Sequence, residues 1–236
     1  MSAPEGKGFK GTLDFRTKGH VELWDPVTGS VITNLGKPNG NRTSVTLDLP
    51  KAGSCFLVFK PFGNIDNATL EKTKESIPTQ IPLSNSWTLS FPKGWEAPSK
   101  LTIKNLQAWK NLDISEEAKA FSGTASYTTT FEVGDLSPES RYSLDLGRVD
   151  MVAVVSLNGK VLRTLWAPPY KLDLTKAIKE GTNTLTIEVT STWFNRLVYD
   201  AGQPEANRKT WTINGPSQNA ELRDSGLLGP VVLQVE

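Results

Sequence analysis

Two aromatic side chains, an amide and a guanidinium stand in a row at Trp193, Phe194, Asn195 and Arg196. Such a set can stack on one sugar ring and hydrogen-bond its hydroxyls, because sugar rings offer apolar C–H faces to aromatics and polar rims to amides and charged groups. The same residues have a packing reading, in which an aromatic closes the end of a core and Arg196 pairs with a carboxylate such as Asp200. Seven tryptophans are generous for 236 residues. Trp24 and Trp87 fall in strand patterns and are expected to pack in a core or between domains. Trp95, Trp109, Trp166 and Trp211 fall nearer turns or segment ends, where a platform and a packing role both stay open. In Trp166-Ala167-Pro168-Pro169-Tyr170 the prolines fix φ, so an aromatic could be presented at low ordering cost, or the segment could be a structural corner. The candidates for saccharide binding are therefore Trp193, Asn195, Arg196, Trp211, Trp166, Tyr170 and Trp109. The polar loop from Asp200 to Arg208 is the natural place for variation to create or remove a site.

Catalytic constellations are harder to build. A glycosidase needs two carboxylates facing each other about 5 to 10 Å apart, and most of the 25 Asp and Glu residues fall in turns and strand ends. His20 is the single histidine, and HExxH, Cys-x-x-Cys, P-loop and GxSxG motifs are all missing. Transition-metal sites need His and Cys clusters that this composition cannot supply. Structural calcium stays open, since it takes oxygen ligands from loops, but no spacing picks out its ligands. No cofactor is implied.

The elements that would position these groups are strands. In SGTASYTTTFEV the alternate residues Ala125, Tyr127, Thr129, Phe131 and Val133 share one face, as a half-buried strand requires. Asn158-Gly159, between VAVVSL and KVL, is a hairpin signal because both turn positions favour positive φ. Gly181-Thr182-Asn183 opens a strand from Thr184 to Val189 with Leu185, Ile187 and Val189 on one side. Nearer the N-terminus, strands are expected at Thr12 to Phe15, His20 to Trp24, Ser30 to Ile32, Thr43 to Leu49 and Cys55 to Phe59. Turn signals such as Pro38-Asn39-Gly40 separate them. Residues 63–82 are polar and weakly periodic, as a connector would be. Asn105 to Ala118 is the most helix-like stretch, and Leu172 to Lys179 could add one turn. The domains read from this are 1–62, a small antiparallel β-domain, 63–82, a connector, and 83–236, a β-sandwich.

Length favours two domains over one sandwich. With 26 basic and 25 acidic residues, scattered rather than striped, nothing asks for nucleic acid or a membrane as partner. No apolar run approaches the roughly 20 residues of a membrane span, and MSAPEGKGFKG lacks the apolar core of an export signal. The lone cysteine, Cys55, sits in the apolar run SCFLVF and reads as a buried structural thiol.

The run from Phe121 to Asn195 resembles the sugar-binding-like sandwich domain of glycoside hydrolase family 2, in which a strand ending F-x-V precedes V-x-L-N-G-K and a strand opened by G-x-N. The tail from Ser84 resembles, more narrowly, the C-terminal accessory region of the α-L-rhamnosidases of glycoside hydrolase family 106. WTLSFPKGW (87–95), FSGTASYTTTF (121–131), LWAPPYKLDLT (165–175), TWFNRL (192–197), RKTWT (208–212) and SGLLGPV (225–231) carry that likeness. HVELWDPVTG (20–29) with KAGSCFLVF (51–59) resembles the small β-domain before that tail. The resemblance implies an all-β chain, a small antiparallel β-domain followed by a jelly-roll, galactose-binding-like sandwich. It also implies that the catalytic acids lie on a (β/α)8 barrel outside this sequence. The chain is then expected to be a non-catalytic fragment of a larger hydrolase. Its expected partners are that barrel and a plant cell-wall polysaccharide, pectic or hemicellulosic. A monomer, extracellular or periplasmic within the parent protein, is expected, or else a structural accessory domain with no ligand of its own.

Overall fold

The computed structural model describes residues 7–51, 53–61, 78–83 and 86–236. The chain divides into two compact units, Met1–Glu75 and Ser76–Glu236. Residues 63–77 of the expected connector lie outside the described residues.

The first unit holds β1 (Phe9–Phe15), β2 (His20–Trp24), β3 (Val31–Ile32), β4 (Gly36–Asn39), β5 (Arg42–Leu49) and β6 (Phe56–Lys60). They form two three-stranded sheets, ordered β1-β5-β4 and β3-β2-β6. In β5 every second residue is buried, so Val45, Leu47 and Leu49 face inward with Val21 and Cys55. The sequence reading of Pro38 and Asn39 as turn residues is corrected. They belong to edge strand β4, where Pro38 lies opposite Thr43 and a missing N–H costs no central ladder bond. Trp24 also departs from expectation: its indole is 43% exposed and donates to Glu22 Oε2 at 2.9 Å, because it ends its strand outside the unit's buried cluster. Cys55 is buried, and burial pushes its thiol pKa up, which suits a structural residue.

The second unit is a sandwich. Its strands are β7 (Thr79–Pro82), β8 (Trp87–Ser90), β9 (Leu101–Ile103), β10 (Thr124–Val133), β11 (Tyr142–Asp145), β12 (Arg148–Val149), β13 (Val152–Leu157), β14 (Lys160–Leu165), β15 (Lys171–Asp173), β16 (Gly181–Thr190), β17 (Leu227–Gly229) and β18 (Val232–Val235). A six-stranded sheet ordered β14-β13-β16-β10-β8-β9 faces a four-stranded sheet ordered β15-β11-β18-β7. Tyr127, Val155, Leu185 and Ile187 from the first meet Leu144, Leu172 and Leu233 from the second in one core. Pairing within both sheets is antiparallel, which lets each strand alternate between core and solvent. Asn158 and Gly159 take φ of 52° and 79° and close the β13–β14 hairpin. Thr79–Pro82, assigned to the connector by its polarity, is instead an edge strand beside the C-terminal strand β18.

Helix is scarce: α1 (Glu116–Lys119) is one turn capped by Ser115, and α2 (Phe194–Ala201) follows β16. Asn105 to Ala118 contains only the first three residues of α1 and a short 3-10 turn at Trp109–Asn111, since Trp109 and Leu112 are drawn into the sandwich core. Leu172 to Lys179 holds the end of strand β15 and then a single turn, in which the Ala177 and Ile178 amides both donate to Leu174 O.

One buried clasp ties the Trp109 segment and strand β17 to strand β10. The Tyr127 hydroxyl accepts from Trp109 Nε1 at 2.6 Å and from the Leu227 amide at 3.1 Å. Burial pushes its pKa up to about 12, so it stays a neutral hydroxyl. Gly226, at φ 106°, passes so close that a Cβ would lie 2.6 Å from both Trp109 Nε1 and the Tyr127 hydroxyl oxygen. Tyr127→Phe strands two buried donors and is expected to lower stability by about 2–5 kcal/mol in urea denaturation. Gly226→Ala is expected to cost more than 2 kcal/mol through clash and backbone strain.

Candidate functional site

The groups that the sequence set side by side are separated by the fold into an interior framework and a surface. Helix α2 starts four residues after the last residue of β16, and the side chains of its N-cap Trp193 and of Arg196 and Asp200 recur along one side. Arg196 points inward and is 1% exposed. Its Nη1 donates to Glu117 Oε1 at 2.9 Å and its Nη2 lies 2.7 Å from Asp200 Oδ1, an i,i+4 pair. Its backbone N–H donates to Ser122 Oγ. The Asp200 carboxylate carries the next segment: Oδ2 accepts from the Lys209 and Thr210 amides and the Thr210 hydroxyl at 3.0, 2.7 and 2.7 Å. Lys209 Nζ completes the circuit by donating to Glu117 Oε1 at 2.8 Å and Gly94 O at 2.6 Å.

Aromatic rings line this circuit. The Arg196 guanidinium lies 5.4 Å from the Trp95 ring and 5.0 Å from the Tyr199 ring, and Lys209 Nζ lies 5.3 Å from Trp95. Trp95 in turn packs on Trp193 at 5.8 Å between centroids and edge-on to Phe121 at 5.4 Å. Trp193 remains 51% exposed and Trp211, just past the Asp200 clamp, 76% exposed. The ion-paired framework thus supports outward Trp193 through half-buried Trp95, and anchors the backbone at Thr210 beside outward Trp211.

Charge and burial oppose each other here. Burial would raise the Asp200 carboxyl, but the hydrogen bonds and charge of Arg196, with the Thr210 bonds, hold it below its ordinary 3.8. Burial likewise acts against Glu117, whose bonds to Lys209 and Arg196 still bring it below its ordinary 4.5. Asp150 runs the other way, raised by burial more than its Ser225 bond and the Arg223 charge lower it.

Three sequence candidates are corrected. Trp109 is completely buried and spends its N–H on Tyr127, so it is core rather than platform. Asn195 is 1% exposed and its amide is used up. Its Nδ2 donates to Arg223 O and Ser225 Oγ, and its Oδ1 accepts from the Arg223 amide, stapling 223–225 to α2. Arg196 takes the pairing role, on Asp200 and also on Glu117. Trp166 is 59% exposed beyond β14, and Tyr170 is half-buried with its hydroxyl donating to Met151 O at 2.8 Å. Strand register puts Trp166 at the same end of the six-stranded sheet as Trp193, two strands away. Trp95 was legible only as a tryptophan near a turn; its sequence neighbours give no sign of Trp193 or Lys209. Among the described residues no group of three or more His, Cys, Asp or Glu is assembled for a metal ion, and no helix is long and apolar enough to cross a membrane.

Residues 109–225 match the glycosyl hydrolase 2 galactose-binding domain-like family. That part of the second unit is thus similar to the galactose-binding-like domain found in glycoside hydrolases. A candidate β-glucuronidase of Formosa agariphila is 36% identical over 262 aligned positions, covering 98% of this chain and 22% of that protein. A solved rhamnosidase from Novosphingobium sp. PP1Y is 34% identical and superposes over 100% of this chain and 22% of its own, with a TM-score of 0.81. A Ruminococcus gnavus β-glucuronidase shares the fold alone, at 16% identity and a TM-score of 0.51 over 67% of this chain and 28% of its own. The chain therefore spans about a fifth of the length of its two nearer relatives here.

Removing the guanidinium leaves two carboxylates facing each other across the buried site. Arg196→Met is expected to lose about 3–5 kcal/mol in thermal or urea unfolding. Because the Asp200 and Glu117 pKa values are lowered on folding, their stabilisation is present above the ordinary values of 3.8 and 4.5 and is lost as pH falls through the lower folded ones. Urea midpoints measured between neutral and strongly acid pH should fall in the wild type. That acid-linked loss should be smaller in Arg196→Met.

Proposed function

We propose that the chain is a non-catalytic accessory portion of a longer rhamnosidase-type glycoside hydrolase of family 106, and that it holds plant cell-wall polysaccharide, pectic or hemicellulosic, on Trp193 and Trp211. The observation that carries the binding role is the exposure of these two indoles, 51% and 76%, on a base fixed by the Arg196 circuit. A platform held in place before binding loses little entropy when a sugar stacks on it. The likeness to the Novosphingobium rhamnosidase over the whole chain supports the parent enzyme class, and the parent would supply the catalytic barrel and an extracellular or periplasmic location. Stacking of this kind gives weak affinity, on the order of 10 to 1,000 μM.

A structural reading is favoured by one observation: Trp109, Asn195 and Arg196 all serve the interior. In that case the sandwich packs in the parent and binds nothing alone. Affinity gel electrophoresis against pectins, xylans, β-glucans and mannans separates the two. Retardation by one of them is expected, weakened about 5- to 10-fold by Trp193→Ala or Trp211→Ala, since an aromatic contact contributes on the order of 1 kcal/mol. No retardation by any of the four would establish the structural reading.

A further inference from the structure

Beside α2, on the side of Tyr199, the surface opens into a pocket of about 280 Å³. Val198, Ala120 and Leu222 give the lining an apolar part, and Tyr199 adds an aromatic residue beside them. Gln203, Gln218 and Glu116 supply the polar side chains of the lining. Neither glutamine amide has a hydrogen-bond partner among the described residues, and Gln218 Oε1 would lie 3.7 Å from a Cβ placed on Gly202.

The pocket is fixed before anything enters it. Arg196 holds the Tyr199 ring from 5.0 Å, and the Gly202 and Gln203 amides donate to Tyr199 O and Asp200 O. Around Gln218 in the chain, the Ala220 amide donates to Ser217 O and the Asn219 amide to Ser217 Oγ. An aromatic residue beside aliphatic ones suits the C–H face of a sugar, and each free amide can donate to one hydroxyl while accepting from its neighbour. The volume falls just under the roughly 300–1,000 Å³ of ligand sites, so one ring fits and an oligosaccharide does not. Glu116, the one charged residue in the lining, is already paired with Lys119 Nζ at 2.7 Å, and no Lys or Arg lines the pocket to receive an anion.

We propose that this pocket binds one neutral pyranose ring, as a free monosaccharide or a chain end. It does not depend on the Trp193–Trp211 surface, which would engage the side of a polymer. Gly202 gives a clean test because its φ of −86° and ψ of −4° are open to any residue, so Gly202→Leu fills the pocket without backbone strain.

Backbone amide NMR of the whole chain, titrated with L-rhamnose, D-galactose and D-glucuronate, reads the site directly. The two neutral sugars should give saturable shifts at Tyr199, Gly202, Gln203 and Gln218, with millimolar dissociation constants, and glucuronate should not. Gly202→Leu should abolish the shifts, and Gln218→Ala should weaken them several-fold, which serves if the first variant is misfolded. Absence of shifts with both neutral sugars, equal binding of glucuronate, or shifts that survive in a folded Gly202→Leu would overturn the proposal. Polysaccharide retardation that persists in Gly202→Leu would mark the two sites as separate. Failure of retardation in the wild type leaves the reading of the pocket intact.

Discussion

The second unit depends on a guanidinium that has been taken out of water. Arg196 is 1% exposed, and burying a charge is unfavourable unless opposite charges and hydrogen bonds replace its hydration. Asp200 and Glu117 supply those charges from α2 itself and from α1, while the Trp95 and Tyr199 rings lie within reach of the cation. Every partner is then constrained in turn. Asp200 can hold Arg196 with one oxygen and the 209–210 backbone with the other only while α2 keeps its position over the sandwich.

This arrangement explains how a loop-rich end of a β-sandwich can present fixed aromatic groups. The segment from Gln203 to Asp224 contains little regular structure, yet it is pinned near its start by Asp200 and near its end by Asn195, which holds 223–225. Tyr127 continues the restraint into Leu227. The exposed Trp211 and the pocket residue Gln218 sit between those anchors. Their order comes from buried polar groups rather than from a sheet.

Much of the sandwich was legible because strand periodicity is local. Ala125, Tyr127 and Phe131 alternate in sequence and lie buried on one face, and Asn158-Gly159 makes the hairpin its residue types require. Helix α2 was not legible: Trp193 offers no side-chain cap, and TWFNRLVYD reads equally well as the end of a strand. Its one sign was the i,i+4 spacing of Arg196 and Asp200. The site divided along the same line. Exposure of Trp193 and Trp211 fits a surface role, whereas Asn195, two residues after Trp193, turns inward because nearby helical residues point in different directions. Glu117, Lys209 and Trp95 come from three distant segments, a juxtaposition that no spacing encodes.

The central claim is that the Arg196 circuit supports a saccharide-binding surface at α2 and the following loop. Hydrogen–deuterium exchange of the chain with and without the polysaccharide that retards it most tests this directly, because it locates the contact without altering any residue. Slowed exchange confined to segments 192–200 and 208–222 is the predicted result. Unchanged exchange there, or protection found only around Trp166 and Tyr170, would contradict the account.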